Sequence, residues 1–222
     1  MTLEREIVLD GVANELRGFA GFVRSLDARA LDVLTRCAGW TVRDVASHVV
    51  GTVVDVAAGS VEGQGTPPVT ERQARERRTL TAAALADELD AALPTLQSLL
   101  ESLPSDSWDG PSLLDPAFTL GFSVEAIWYD AYLHGEDIRS ALGLPPARGA
   151  GLRCAVHHVA GYLTQRDWAP TTLLLKDLEP VEISGGGTEW GGDPLELVLA
   201  ATGRLDPAPL GLDPRIDVYG GF

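Results

Sequence analysis

Apolar residues recur over positions 1–143 at the three-to-four spacing of amphipathic helices. Over residues 3–26 the stripe is Leu9, Val12, Ala13, Leu16, Phe19, Ala20 and Val23. A second helix runs from Thr41 to about Gly59, its apolar side built from Val42, Val45, Val49 and Val53. Its start signal is complete: Thr41 as N-cap, Asp44 three residues on to close a capping box, and Trp40 with Val45 able to form a hydrophobic staple. A third helix over 80–103 carries Leu85, Leu89, Ala92, Leu93, Leu96, Leu99 and Leu100, with a kink predicted at Pro94. A fourth over 119–143 has the stripe Ile127, Asp130, Ala131, His134, Asp137, Ile138 and Ala141, and Gly143 before Pro145-Pro146 suits a left-handed C-cap. Four helices with no convincing strand between them predict a helical bundle.

Between the second and third helices lies the loop 59–69, then a polar segment with Arg72, Arg75, Arg77 and Arg78. That segment reads as a solvated helical face; folded over a cleft, its guanidiniums could instead hold an anionic ligand. After Pro146 the pattern changes. A helix containing His157 and His158 precedes β-like pieces at TTLLLKDL, PVEISG and the terminal RIDVYGG, with a glycine-rich turn, GGGTEWGGDP, and a short helix, LELVLAATG, between the last two. The expected organisation is a helical bundle over residues 1–147 and a small α+β domain over 148–222.

Seventeen basic and thirty-two acidic residues give a net charge of −15, which makes nucleic acid and anionic membrane poor partners. Two cysteines, Cys37 and Cys154, with no CxxC pair, fit a reducing compartment, and charge near the N-terminus stands where a signal peptide needs an apolar run. A cytoplasmic location is expected.

The fourth helix places two carboxylates and an imidazole on a stripe that apolar neighbours turn toward a core. Such groups are unwelcome there unless paired or metal-bound. Asp130 and His134 lie four apart, about one turn or roughly 6 Å, which suits half of a metal site and equally a core ion pair. Joined by His48 from the second helix, they would supply two nitrogens and one oxygen, a set suited to zinc with an open fourth position. His157 and His158 point about 100° apart on a helix, so together they cannot grip one ion, and they read as surface or half-buried residues. Asp137 reads as a partner to the site rather than a ligand, and Cys37 as a remote candidate nucleophile near a helix start. No serine-hydrolase elbow, P-loop or dinucleotide fingerprint is present.

Three stretches resemble one family. CAGWTVRDVASHV at 37–49 is similar to a Cys-Pro-Gly-Trp-Thr-Val-x-Asp-x-x-x-His block, with Ala38 in place of proline. DAYLHGEDIRSALG at 130–143 is similar to a Glu-x-x-x-His-x-x-Asp helix followed by Ala-Leu-Gly. Gly192–Arg204 is similar to a glycine, an apolar helix and Gly-Arg. These are features of the mycothiol-dependent maleylpyruvate isomerase family, DinB-like metal-binding bundles of actinobacteria. The resemblance implies a DinB-like four-helix bundle with an appended α+β domain, zinc or another divalent metal on His48, Asp130 and His134, mycothiol as thiol cofactor, and Arg204 in the active site. It implies an isomerase, in which a thiolate adds to a cis double bond and leaves after rotation, or a transferase, in which the thiol stays attached. The substrate would be small, electrophilic and anionic, with Arg204 facing a cleft between the two domains. Asp130 is one methylene shorter than the family's glutamate. The rival readings are a non-enzymatic, metal-stabilised small-molecule-binding protein and a metal-dependent hydrolase of the same fold.

Overall fold

The computed structural model describes residues 3–112 and 114–219. They divide into two compact units, Leu3–Ala147 and the residues from Arg148 on.

The first unit is helical. In chain order its helices are α1 (Arg5–Arg24), α2 (Ala28–Leu31), α3 (Val42–Ala57), α4 (Pro67–Arg77), α5 (Ala82–Ser102) and α6 (Leu120–Ala141). Four of them close a ring, α1 against α5, α5 against α3, α3 against α6 and α6 against α1, and α4 packs on α3. The core is what the heptad-like stripes dictate: Val8, Val12, Leu16 and Val23 from α1, Val42, Val45, Val49 and Val53 from α3, and Leu85, Leu89, Leu93, Leu96 and Leu100 from α5 are buried. α5 continues through Pro94. Thr41 accepts from the Asp44 N–H and the Asp44 carboxylate accepts from the Thr41 N–H, so the capping box that begins α3 is formed. α6 ends on Gly143 at φ +65°, with Gly143 N–H on the Ser140 carbonyl and Leu144 N–H on the Arg139 carbonyl. That is a Schellman cap.

Two features of this unit depart from the sequence reading. The arginine-rich segment is the helix α4, and it is not simply a solvated face: Gln73, Ala74 and Arg77 are buried. Arg77 donates from Nε and Nη2 to the two oxygens of Glu88 on α5, Arg72 pairs with Asp55 and Glu76, and Arg78 pairs with Asp44. α6, in turn, is not buried on one stripe alone. It lies between α1 and α3, so Trp128, Tyr129, Tyr132, Leu133 and Glu136 are buried besides Ala131, Asp137 and Ile138.

The second unit holds α7 (Ala150–Gln165), β1 (Thr171–Leu175), β2 (Val181–Ile183), β3 (Thr188–Gly192) and α8 (Pro194–Ala201). The sheet order is β2-β1-β3, with β2 antiparallel and β3 parallel to β1. Leu173, Leu175 and Ile183 supply the buried side of the sheet, and α7 and α8 supply the helical layer. The glycine-rich turn expected at 185–194 is in fact strand β3, because Thr188–Gly192 pairs residue by residue with Thr171–Leu175. The terminal segment is no strand as far as it is described. Pro214–Ile216 forms a 3-10 turn, with Ile216 and Val218 buried, while Gly220 and Gly221 of that stretch lie outside the described residues. Alternation there reports burial, not pairing. His158 is also a correction: it is 1% exposed, its ring edge-on to Tyr162, because α7 is covered on that side.

Candidate functional site

Three of the residues singled out in the sequence come together in the first unit. His48 stands on α3, Asp130 and His134 on α6. Each carboxylate oxygen of Asp130 faces one imidazole: Oδ2 lies 3.6 Å from His48 Nε2 and Oδ1 lies 3.5 Å from His134 Nε2. The two rings are 5.0 Å apart and nearly perpendicular. One ligand atom from each of the three residues falls within 4.8 Å of the others. Donors about 2.0–2.1 Å from a tetrahedral ion are separated by roughly 3.3–3.5 Å, so the spacing fits a cation. The shorter carboxylate still sets one oxygen beside each imidazole.

Hydrogen bonds behind the rings decide which nitrogen is available. Gln73, fully buried on α4, donates from Nε2 to Asp55 Oδ2 at 2.7 Å and to Gln64 Oε1 at 3.0 Å. An ionised carboxylate only accepts, which fixes the amide's orientation and turns Oε1 toward His48 Nδ1, 2.8 Å away. His48 Nδ1 therefore carries a hydrogen, and Nε2 is the nitrogen turned to Asp130. His134 is held in the same way. Its Nδ1 lies 3.0 Å from Asp137 Oδ2, and Asp137 is wholly buried with Arg36 Nε 2.8 Å from its other oxygen. Both imidazoles thus present Nε2 to one point, the arrangement in which outer partners orient metal-ligating histidines.

Burial pushes the His48 imidazolium down, but the Asp130 carboxylate and the hydrogen bonds to Asp130 and Gln73 outweigh it, and its pKa lies above the ordinary histidine value. A proton and a cation compete for the same lone pair. Burial also raises Asp55, but hydrogen bonds from Arg72, Gln73 and Gln64 hold it below the usual carboxylate range.

The local fold explains these positions. Gly51 on α3 lets α4 close: a Cβ there would lie 2.6 Å from Gln73 Cβ. The loop before α3 is fixed by Thr35 N–H and Oγ1 on the Trp40 carbonyl and by Trp40 N–H on the Cys37 carbonyl. It lays the Trp40 ring edge-on to His48 at 5.4 Å, with Trp40 Nε1 donating to Glu71. Gln73 and Arg36 were not candidates from the sequence. α4 has no apolar stripe to announce a buried face, and only the small residue opposite, Gly51, hints at a close approach. Asp137 stands beside His134 as its i+3 spacing suggests.

Arg204 lies in the second unit, in the Schellman turn after α8: Gly203 takes φ +68°, and Arg204 N–H reaches the Leu199 carbonyl at 2.8 Å. Its Nη1 donates to the Thr202 carbonyl at 3.2 Å. Among the described residues, no helix is long and apolar enough to cross a membrane.

The chain matches the family model described as the mycothiol maleylpyruvate isomerase N-terminal domain over residues 12–139. Two solved structures share its fold. A mycothiol-dependent maleylpyruvate isomerase is 15% identical with a TM-score of 0.64, the alignment covering 91% of this chain and 90% of that one. A histidine-to-alanine mutant of the mycothiol-dependent maleylpyruvate isomerase is 14% identical, with the same TM-score and coverage. At these identities the likeness is one of fold. No curated protein matches the chain.

Proposed function

The chain belongs to the mycothiol maleylpyruvate isomerase N-terminal domain family, and from that membership and the geometry around Asp130 we propose that it is a metal-dependent enzyme that uses mycothiol to isomerise a small electrophilic, anionic substrate or to transfer the thiol to it. The observation that carries the proposal is the pair of oriented imidazoles. His48 and His134 both have Nδ1 tied to a fixed acceptor and Nε2 turned to the same carboxylate. A core ion pair has no need of two histidines aligned in this way on one aspartate.

His48, Asp130 and His134 would hold the ion, zinc by the character of the donor set. A divalent cation in such a site favours the thiolate over the thiol of a bound cofactor at neutral pH. The protein's own groups hold the rest in place. Gln73 and Asp137 hold the two Nδ1 atoms and so aim the Nε2 nitrogens, and the edge of Trp40 shields His48 on one side. Arg204 is assigned to the substrate's carboxylate, which a guanidinium can hold through two parallel hydrogen bonds.

The experiment is a comparison of wild type, His48→Ala and Arg204→Ala for zinc content, mycothiol binding and turnover of activated cis-alkene acids. Wild type is expected to hold about one zinc and to bind mycothiol. His48→Ala should lose metal and turnover together, and Arg204→Ala should keep metal while KM for the acid rises by about tenfold or more. A wild-type protein that holds zinc and has no affinity for mycothiol would contradict the thiol-dependent reading and favour the hydrolase or the binding protein.

A further inference from the structure

A second group of metal-capable side chains sits on the far edge of His134. Cys37 Sγ is 3.1 Å from Asp137 Oδ2 and 4.0 Å from His134 Nδ1, and the latter two are 3.0 Å apart. We propose that Cys37, Asp137 and the Nδ1 edge of His134 form a second metal position, selective for thiophilic cations, that competes with the first position for His134. The competition, though not the position itself, rests on the reading of His48, Asp130 and His134 as a metal site.

The geometry supports it in three ways. Sulfur at about 2.3 Å and nitrogen and oxygen at about 2.0–2.2 Å from a tetrahedral ion lie roughly 3.3–3.6 Å from one another. The three separations here bracket that range. Arg36 Nε occupies Asp137 Oδ1 and leaves Oδ2 turned to the cysteine and the histidine. Cys37 and His134 are half-buried while Asp137 is buried, so an ion has a way in past the thiol and a rigid carboxylate at the back. A thiolate ligand favours soft cations such as cadmium, whereas the nitrogen and oxygen donors of the first position suit harder ions, and zinc takes either donor set.

Proton bookkeeping makes the two positions antagonistic. Binding at Cys37 releases the thiol proton to solvent. The imidazole hydrogen now on Nδ1 must leave that nitrogen, and by exchange with solvent it takes up Nε2. His134 Nε2 then faces Asp130 as a donor and no longer as a ligand, so the first position loses one of its three groups. The coupling is reciprocal: an ion already on Nε2 holds the hydrogen on Nδ1 and weakens the second position by the same factor.

The test is a titration of chelator-stripped, full-length protein with cadmium, following the ultraviolet thiolate-to-cadmium charge-transfer band and proton release, in wild type, His48→Ala and Cys37→Ser. The band should grow with about one proton released per ion in wild type, persist in His48→Ala and vanish in Cys37→Ser. Cysteine 154 remains as the other thiol in that variant and serves as an internal control. Preloading wild type with one equivalent of zinc should shift the cadmium titration by about tenfold or more, with a smaller shift in His48→Ala, where only direct competition at Cys37 is left. A band that survives Cys37→Ser, or no band in wild type, overturns the second position. A band unaffected by preloaded zinc overturns the competition. If the band forms as described while His48→Ala leaves zinc content unchanged, the second position stands and the reading of the first site fails.

Discussion

A glutamine amide has a donor side and an acceptor side, and at Gln73 the Asp55 carboxylate dictates which of them meets His48. Replacing Gln73 with leucine removes the acceptor and lets the imidazole turn or change tautomer. Zinc affinity in a competitive chelator titration is expected to fall about 10–100-fold in Gln73→Leu. Asp55 anchors the same network and carries its own pH signature. Its folded pKa is depressed by Arg72, Gln73 and Gln64 in spite of burial, so its contribution is full above the unfolded value near pH 4 and is lost as the pH falls through the folded one. Asp55→Asn should therefore lower the melting temperature at pH 7, by about 1–2 kcal/mol of stability, and the gap from wild type should close below about pH 4. Little of this network was legible in the sequence. His48, Asp130, His134 and Asp137 announce themselves as polar groups on apolar stripes, but Gln73 stands in a polar helix among arginines, where no periodicity marks a buried position.

At the scale of elements, α4 is held against α3 at a point where only a glycine fits. Gly51→Ala puts a Cβ within 2.6 Å of Gln73 Cβ and 2.7 Å of its Cγ. The helices must then separate, at a cost of about 1–3 kcal/mol, and Gln73 must withdraw from His48. The expected outcome is a lower thermal midpoint together with weaker zinc binding; a variant that loses stability while retaining wild-type zinc affinity would uncouple α4 from the site. The long helices were readable because their apolar residues keep a 3.6-residue period and their caps are chemically explicit, as at Thr41–Asp44 and Gly143. The strands were harder. β3 reads Thr-Glu-Trp-Gly-Gly with neither alternation nor a β-branched run, and it is a strand because β1 offers it a parallel partner. The terminal segment has alternation without a partner, and Pro214 begins a 3-10 turn instead.

Over the whole molecule, Gln73, Asp55, Asp137 and Arg36, which orient the two imidazoles, belong to the first unit, while Arg204 belongs to the second. The proposed metal site thus rests on the helical unit, and the family resemblance, not the fold, supplies the thiol and the substrate class. The measurement that bears most directly on the central claim is zinc K-edge X-ray absorption of the zinc-loaded protein. The prediction is a first shell of nitrogen and oxygen only, at about 2.0–2.1 Å, with the outer-shell scattering of two imidazoles, reduced to one in His48→Ala. A shell dominated by sulfur at about 2.3 Å, or a spectrum unchanged by His48→Ala, would contradict it.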